Sequence, residues 1–204
     1  MGRAAAGRMQ AHRTRALVTV TTVTAFVSLL APTGVMQSNQ PAERFTAFAV
    51  SLGGNARRSG AGIVEIVVDR WSTDAERQRL VETLQTKGPG EMLEAMRDMR
   101  EVGHIRTPDS LGYPLRYAHQ TAGEEGGRGI VIATDRPISF WEQVNRPRTI
   151  DYPFTVIQMQ IGQDGTGEGR MSVATRIIAH DNIIELERYE AQPVMLNKVR
   201  AQPK

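Results

Sequence analysis

From Arg44 to Tyr189, short runs of strand-forming residues alternate with glycine- and proline-marked turns, and only Thr73 to Met99 departs from that rhythm. A strand presents every second side chain to a core. A chain broken this often therefore buries apolar surface by pairing many short strands in antiparallel order. The candidate strands are Arg44–Leu52, Ile63–Trp71, Gly103–Thr107, Leu115–Thr121, Arg128–Thr134, Phe154–Ile161, Arg170–Ala179 and Ile183–Tyr189. In the second, Val64, Ile66 and Val68 share a core face, while Glu65, Val67, Asp69 and Trp71 fall on the wetter one. Glycine-rich turns are expected at Gly123–Gly129 and Gly162–Gly169. Asp181-Asn182 suits a two-residue hairpin connection, because both residue types tolerate positive φ.

The exception is helical. Thr73-Asp74-Ala75-Glu76 has the spacing of a capping box, in which threonine accepts from the Glu76 backbone and the glutamate reaches back. Leu80, Val81 and Leu84 then fall on one face, Gly88 is placed to end the helix, and Pro89 starts a second one. Met92, Leu93, Met96 and Met99 repeat at helical spacing in that second segment. Two short helices joined by Gly-Pro form a hairpin whose apolar faces need a sheet to cover. The expected class is α+β: mainly antiparallel β, a sandwich or barrel-like sheet, with a helical hairpin inserted after the second strand. Residues 43–204 are enough for a single domain with a real core. With no cysteine in the chain, disulfides and thiolate sites are excluded and stability rests on packing.

The N-terminus obeys different rules. Arg3, Arg8, Arg13 and Arg15 precede an uncharged stretch, Leu17 to Ala31, which extends without charge to Met36. A basic start before an apolar run is the pattern of an export signal, and the longer reading approaches the length of a membrane span. Residues 1–36 are thus expected to be a signal peptide or N-terminal membrane anchor, and 37–42 a polar spacer. Export to the periplasm, the medium or the outer side of the cytoplasmic membrane follows. The sequence pI of about 9.6 comes from this leader. Four of the 25 basic residues lie in it and all 22 acids lie at or after Glu43, leaving 21 basic against 22 acidic residues beyond it. Such a neutral domain is not a nucleic-acid binder. Membrane contact is expected only through the leader, where it is retained.

No G-x-S-x-G elbow, H-E-x-x-H pair or phosphate-binding glycine loop is present, and no cofactor is implied. His104 and His119 would approach one another if their strands paired, which with a carboxylate would suit zinc; ordinary strand histidines are the simpler reading, as is a turn position for His180. Gln163 to Gly169 interleaves oxygen ligands with glycine in the manner of a calcium loop, but its strand flanks favour a hairpin. Asp69, Asp135, Glu142 and Asp151 are carboxylates without a visible pairing. Asp69-Arg70 and Asp135-Arg136 read as surface charges at sheet edges.

Aromatic placement is more telling. Six of the ten aromatics after the leader fall between Tyr113 and Phe154, among Arg116, Arg136, Arg146 and Arg148 and several prolines. Aromatics and arginine are enriched at binding hot spots, and equally at the corners and cores of β domains. The loop Asn145–Pro153 is the site this composition favours, with Trp141, Arg146, Arg148 and Tyr152 as ligand- or partner-binding residues. The expected function is an exported cell-envelope binding or interaction module, non-enzymatic, acting on an envelope protein or small ligand. The runner-up is an envelope enzyme, such as a hydrolase, with a site assembled from scattered His, Asp and Glu residues.

Overall fold

The computed structural model describes residues 40–51, 60–123, 126–138, 153–180, 183–188 and 192–203; the side chains of Ala174, His180, Ile183 and Arg188 are not part of that description. The elements in chain order are β1 (Glu43–Ser51), β2 (Gly60–Val68), α1 (Asp74–Lys87), α2 (Pro89–Arg97), β3 (Gly103–Arg106), β4 (Tyr113–Leu115), β5 (Tyr117–Ala122), β6 (Arg128–Thr134), β7 (Phe154–Ile161), β8 (Thr166–His180), β9 (Ile183–Arg188) and β10 (Val194–Pro203). The fold is α+β, mostly antiparallel β, with the helical hairpin after the second strand.

One sheet holds every described strand, in the order β4-β3-β2-β1-β10-β8-β7-β6-β5, with β9 added to β8. Its two end strands, β4 and β5, are consecutive in the chain and separated by Arg116 alone. The Arg116 amide donates to the Ala133 carbonyl on β6, and the Thr134 hydroxyl to the Pro114 carbonyl on β4. The sheet therefore curls until its ends meet, which is the barrel-like form of the expected architecture.

Alternation along the strands sends Phe45, Ala47 and Ala49 inward from β1, Val64, Ile66 and Val68 from β2, and Ile157, Met159 and Ile161 from β7. Ile105, Leu115, Ile130, Ile132, Met171, Leu196 and Val199 complete this interior. Each such valine, leucine, isoleucine, methionine or phenylalanine contributes roughly 1.5–3 kcal/mol by leaving water. Outside the sheet, Leu80, Leu84, Met92, Leu93, Met96 and Met99 form a second cluster with Ala133, Phe154, Val156 and Ile177. The helices thus cover the outer faces of β6, β7 and β8. The capping box is present as expected: Glu76 N–H donates to Thr73 Oγ1 at 3.1 Å, and the Thr73 amide to Glu76 at 2.8 Å. Gly88, at φ 86°, ends α1 by donating to the Leu84 carbonyl and leads directly into Pro89.

Four local expectations are corrected. β10 has no counterpart among the sequence-derived strands, yet it lies in mid-sheet between β1 and β8. Its buried positions are Val194, Leu196 and Val199, so the two-residue period slips by one at Lys198 and alternation disappears from the sequence. The expected strand Leu115–Thr121 is two strands, bent at Arg116. The expected turn Gly162–Gly169 is a shorter turn, because β8 already starts at Thr166. Gly167 belongs to that strand, where a Cβ would overlap the Gln160 carbonyl oxygen of β7. Finally β2 ends at Val68 rather than Trp71. The amides of Asp69 and Arg70 both donate to the Val102 carbonyl, and the bend turns Trp71 into the core. Val67, on the outer face, is also buried. The register between β8 and β9 joins His180 to Ile183, as a two-residue connection requires; residues 181 and 182 lie outside the description. Among the described residues no helix is long and apolar enough to cross a membrane.

Candidate functional site

A filled interior leaves the outer surface for recognition. There the sheet has one irregularity that shapes it. Between β1 and β10 the register slips from Thr46↔Arg200 to Phe48↔Asn197, and between β10 and β8 from Leu196↔Gly169 to Val199↔Gly167. The extra residue is a β-bulge centred on Lys198, which sits at φ 52° and is the one non-glycine residue with positive φ among those described. A lysine there carries strain on the order of 1–2 kcal/mol. Strain of this kind is more common at functional positions than elsewhere.

Two shallow depressions meet at the bulge. One is lined by Phe48, Val50, Ile63, Glu168, Asn197 and Lys198, the other by Thr166, Gly167, Glu168, Lys198, Val199 and Arg200. The register explains the first. Phe48 pairs with Ile63 on one side and Asn197 on the other, and Val50 pairs with Met195. These residues alternate with the core set, so they point outward. Phe48 is 45% exposed and Ile63 57%. Scattered exposed apolar residues are ordinary, but here three of them, Phe48 and Val50 on β1 and Ile63 on β2, share one depression. The second depression carries the charged residues: Lys198 and Arg200 flank Glu168, and none of the three enters an ion pair among the described residues. The face as a whole combines an apolar half with a cationic one.

The sequence-derived site residues Trp141, Arg146, Arg148 and Tyr152 all lie outside the described residues, as do Glu142 and Asp151. The described members of that aromatic region serve packing. Phe154 is fully buried beneath the helices, and Tyr117 packs against the same cluster with its ring stacked on His119. Asp135 is not the surface charge expected. It is buried, with Arg97, Arg116 and Arg136 at 3.8, 3.6 and 3.6 Å. Arg116 also donates to the Met99 carbonyl, so this cluster ties the end of the helical hairpin to the corner between β4 and β5. Arg70 is likewise engaged, donating twice to Glu76 at 3.0 Å and once to the Arg100 carbonyl at 2.8 Å.

His104 and His119 are not brought together. β3 pairs with β2 and β4, and β5 pairs with β6. Among the described residues no group of three or more His, Asp or Glu side chains could hold a metal. The side chain that most resembles chemistry is His119, whose Nε2 lies 3.7 Å from Asp74 Oδ1 at the start of α1. Burial lowers its affinity for a proton, the Arg77 cation lowers it further, and Asp74 offsets part of the effect. Burial likewise lifts the Tyr117 phenol far above its ordinary range, so it stays protonated. Neither depression includes this pair. In the glycine-rich hairpin, Asp164 accepts from the Thr166 amide at 3.0 Å and hydroxyl at 2.6 Å. Those bonds hold its carboxyl below the usual range and occupy it in the turn.

The bulge face was missed in the sequence for a definable reason. Its cue is a strand end that is apolar on both faces, Phe48 and Val50 alternating with Ala47 and Ala49. That cue becomes a surface only when the unrecognised strand β10 is set beside it. No family model, curated protein or solved structure matches the chain.

Proposed function

We propose that this protein is an exported cell-envelope interaction module whose contact surface is the bulge face of β2, β1, β10 and β8. The observation that carries the reading is the convergence of both depressions on the strained Lys198, beside outward Phe48 and Ile63. A filled barrel offers recognition through its exterior, and rigid strands present such a surface without a large ordering cost. The basic, acid-free leader supports placement outside the cytoplasm. Position supports the same reading. The chain reaches the sheet at Glu43, whereas the apolar half of the face lies at Phe48 and Val50, five to seven residues further along β1. At about 3.3 Å per residue, an N-terminal tether would leave that patch roughly 17–23 Å from the attachment point, turned toward a partner. The enzyme reading has the His119–Asp74 pair in its favour, but that pair lies outside both depressions.

The test is a photo-crosslinking amino acid at Phe48, in the full chain in its host, against the same probe at the exposed Gln78 on α1. Crosslinks specific to position 48 and reduced by Lys198→Glu are expected, with the protein fractionating outside the cytoplasm. Equal crosslinking at both positions would remove the bulge face as the contact surface. If Trp141→Ala or Arg148→Ala abolishes partner capture while position 48 stays silent, the 145–153 loop is the site instead. A cytoplasmic, non-membrane chain would end the export reading.

A further inference from the structure

The closed sheet still has an unmatched edge. β1 pairs with the whole of β2, from Gly60 to Val68, but β3 pairs only with Glu65 to Val68 on the other side. Gly60 to Val64, five residues, therefore has no strand neighbour on that side among the described residues. Strand edges with free amides and carbonyls are usually blunted by charge, proline, shortness or a cover. The other edges of this sheet follow that rule. β4 is three residues long and contains Pro114. The edge of β5 is met by Ser72, whose amide donates to the Ala118 carbonyl while its hydroxyl accepts from the Ala118 amide. β9 carries exposed Glu185 and Glu187. Among the described residues the Gly60–Val64 edge has none of these protections: its sequence is Gly-Ala-Gly-Ile-Val, and Ile63 projects beside it with Phe48 as its cross-strand neighbour.

Resting on the interaction-module reading above, we propose that the partner is an extended polypeptide segment that adds to β2 at Gly60–Val64 as a further strand. Its outward side chains, at alternate positions, rest on Ile63. Hydrogen bonding decides the class of partner. A row of amides and carbonyls is matched by another extended backbone and not by a lipid surface, while side chains at alternate positions supply selectivity. The small residues Gly60, Ala61 and Gly62 put no large side chain of their own beside that backbone. A second copy of the chain is disfavoured by size, since five residues fall well short of the roughly 20–30 a side of a stable interface.

The experiment presents the full chain to an array of seven-residue peptides with alternating apolar and polar residues, each matched by a version with central proline. Proline removes an amide and breaks a ladder, so the matched peptides should bind at least about tenfold more weakly. Ala61→Lys and Ile63→Lys, both at exposed positions, should weaken binding similarly while circular dichroism shows the fold intact. Absence of binding to any alternating peptide, or indifference to proline or to Ile63→Lys, would overturn the proposal. So would two other results: Ile63-dependent binding to phosphatidylglycerol vesicles alone, or Ile63-dependent self-association in sedimentation without peptide binding. A position-48 crosslink to a partner combined with a silent array defeats strand addition and leaves the interaction-module reading standing. Silence in both experiments defeats both.

Discussion

The carboxylate of Glu43 on β1 and the guanidinium of Arg128 on β6 form a two-pronged ion pair across one end of the barrel, although their strands are not neighbours in the sheet. Arg128 also donates to Gln120 on β5 at 2.9 Å and lies over the ring of Phe45, 5.9 Å from its centroid. Glu43 lies on the same face of β1 as Phe45, and Arg128 on the same face of β6 as Ile130, so their charges point inward at the rim, where the apolar filling ends. One contact thus holds opposite walls of the sheet at a fixed distance.

That arrangement predicts coupling. In a double-mutant cycle with Glu43→Gln and Arg128→Met, equilibrium urea unfolding should give an interaction energy of about 0.5–3 kcal/mol. Additive effects would show that the rim pair does not join the walls energetically.

The hairpin depends on its apolar face and its cap. Leu84, 3% exposed, sits in the cluster under α1, so Leu84→Ala should cost about 2–5 kcal/mol. Thr73→Ala removes one half of the capping box and should cost about 0.5–2 kcal/mol. The two are measured by the shift in urea midpoint at unchanged slope. A Leu84→Ala loss below about half a kcal/mol would mean a surface-like site.

Acid should weaken the domain in two steps. His119 has a lowered pKa, from burial first and Arg77 second, so the unfolded chain takes up its proton at higher pH than the native state. Its contribution is intact above about 6.5 and is lost as pH falls from there through the lower native value. Glu76 acts further down. Burial alone would raise its pKa, but hydrogen bonds from Arg70 and the Thr73 amide prevail and lower it. Its contribution is lost only below the ordinary carboxylate range. His119→Gln should flatten the upper window of a stability–pH profile and leave the lower one. An unchanged slope between pH 7 and 5.5 would refute the assignment.

At the bulge, stability and binding should part company. Lys198→Gly relieves the left-handed backbone and should stabilise the fold by about 1 kcal/mol while weakening partner capture through loss of the cation. Lys198→Gly with lower stability would show that the side chain packs structurally, and the bulge would lose its claim to function.

How far these residues speak for themselves depends on the range of the physics involved. Capping at Thr73 and Glu76 and termination at Gly88 were legible because local hydrogen bonds specify them, and the strands Arg128–Thr134 and Phe154–Ile161 because runs of strand-forming residues bounded by turn signals mark them. The α+β class followed from the same local signals. Tertiary structure alone decided the rest. Asp135 is buried because Arg97 and Arg116, both distant in sequence, join the adjacent Arg136 around it. β10 is a central strand because two neighbours supply the hydrogen bonds that its slipped period conceals. Gly167 is a strand residue because it pairs with Val199 and Ile161, and it must be glycine there because the Gln160 carbonyl leaves no room for a side chain. The candidate surface needs Phe48, Ile63 and Lys198 from three strands at once. Alternation along a chain reveals which side chains share a face of one strand, but which strands then lie side by side is set by non-local pairing, and the surface exists only after that choice.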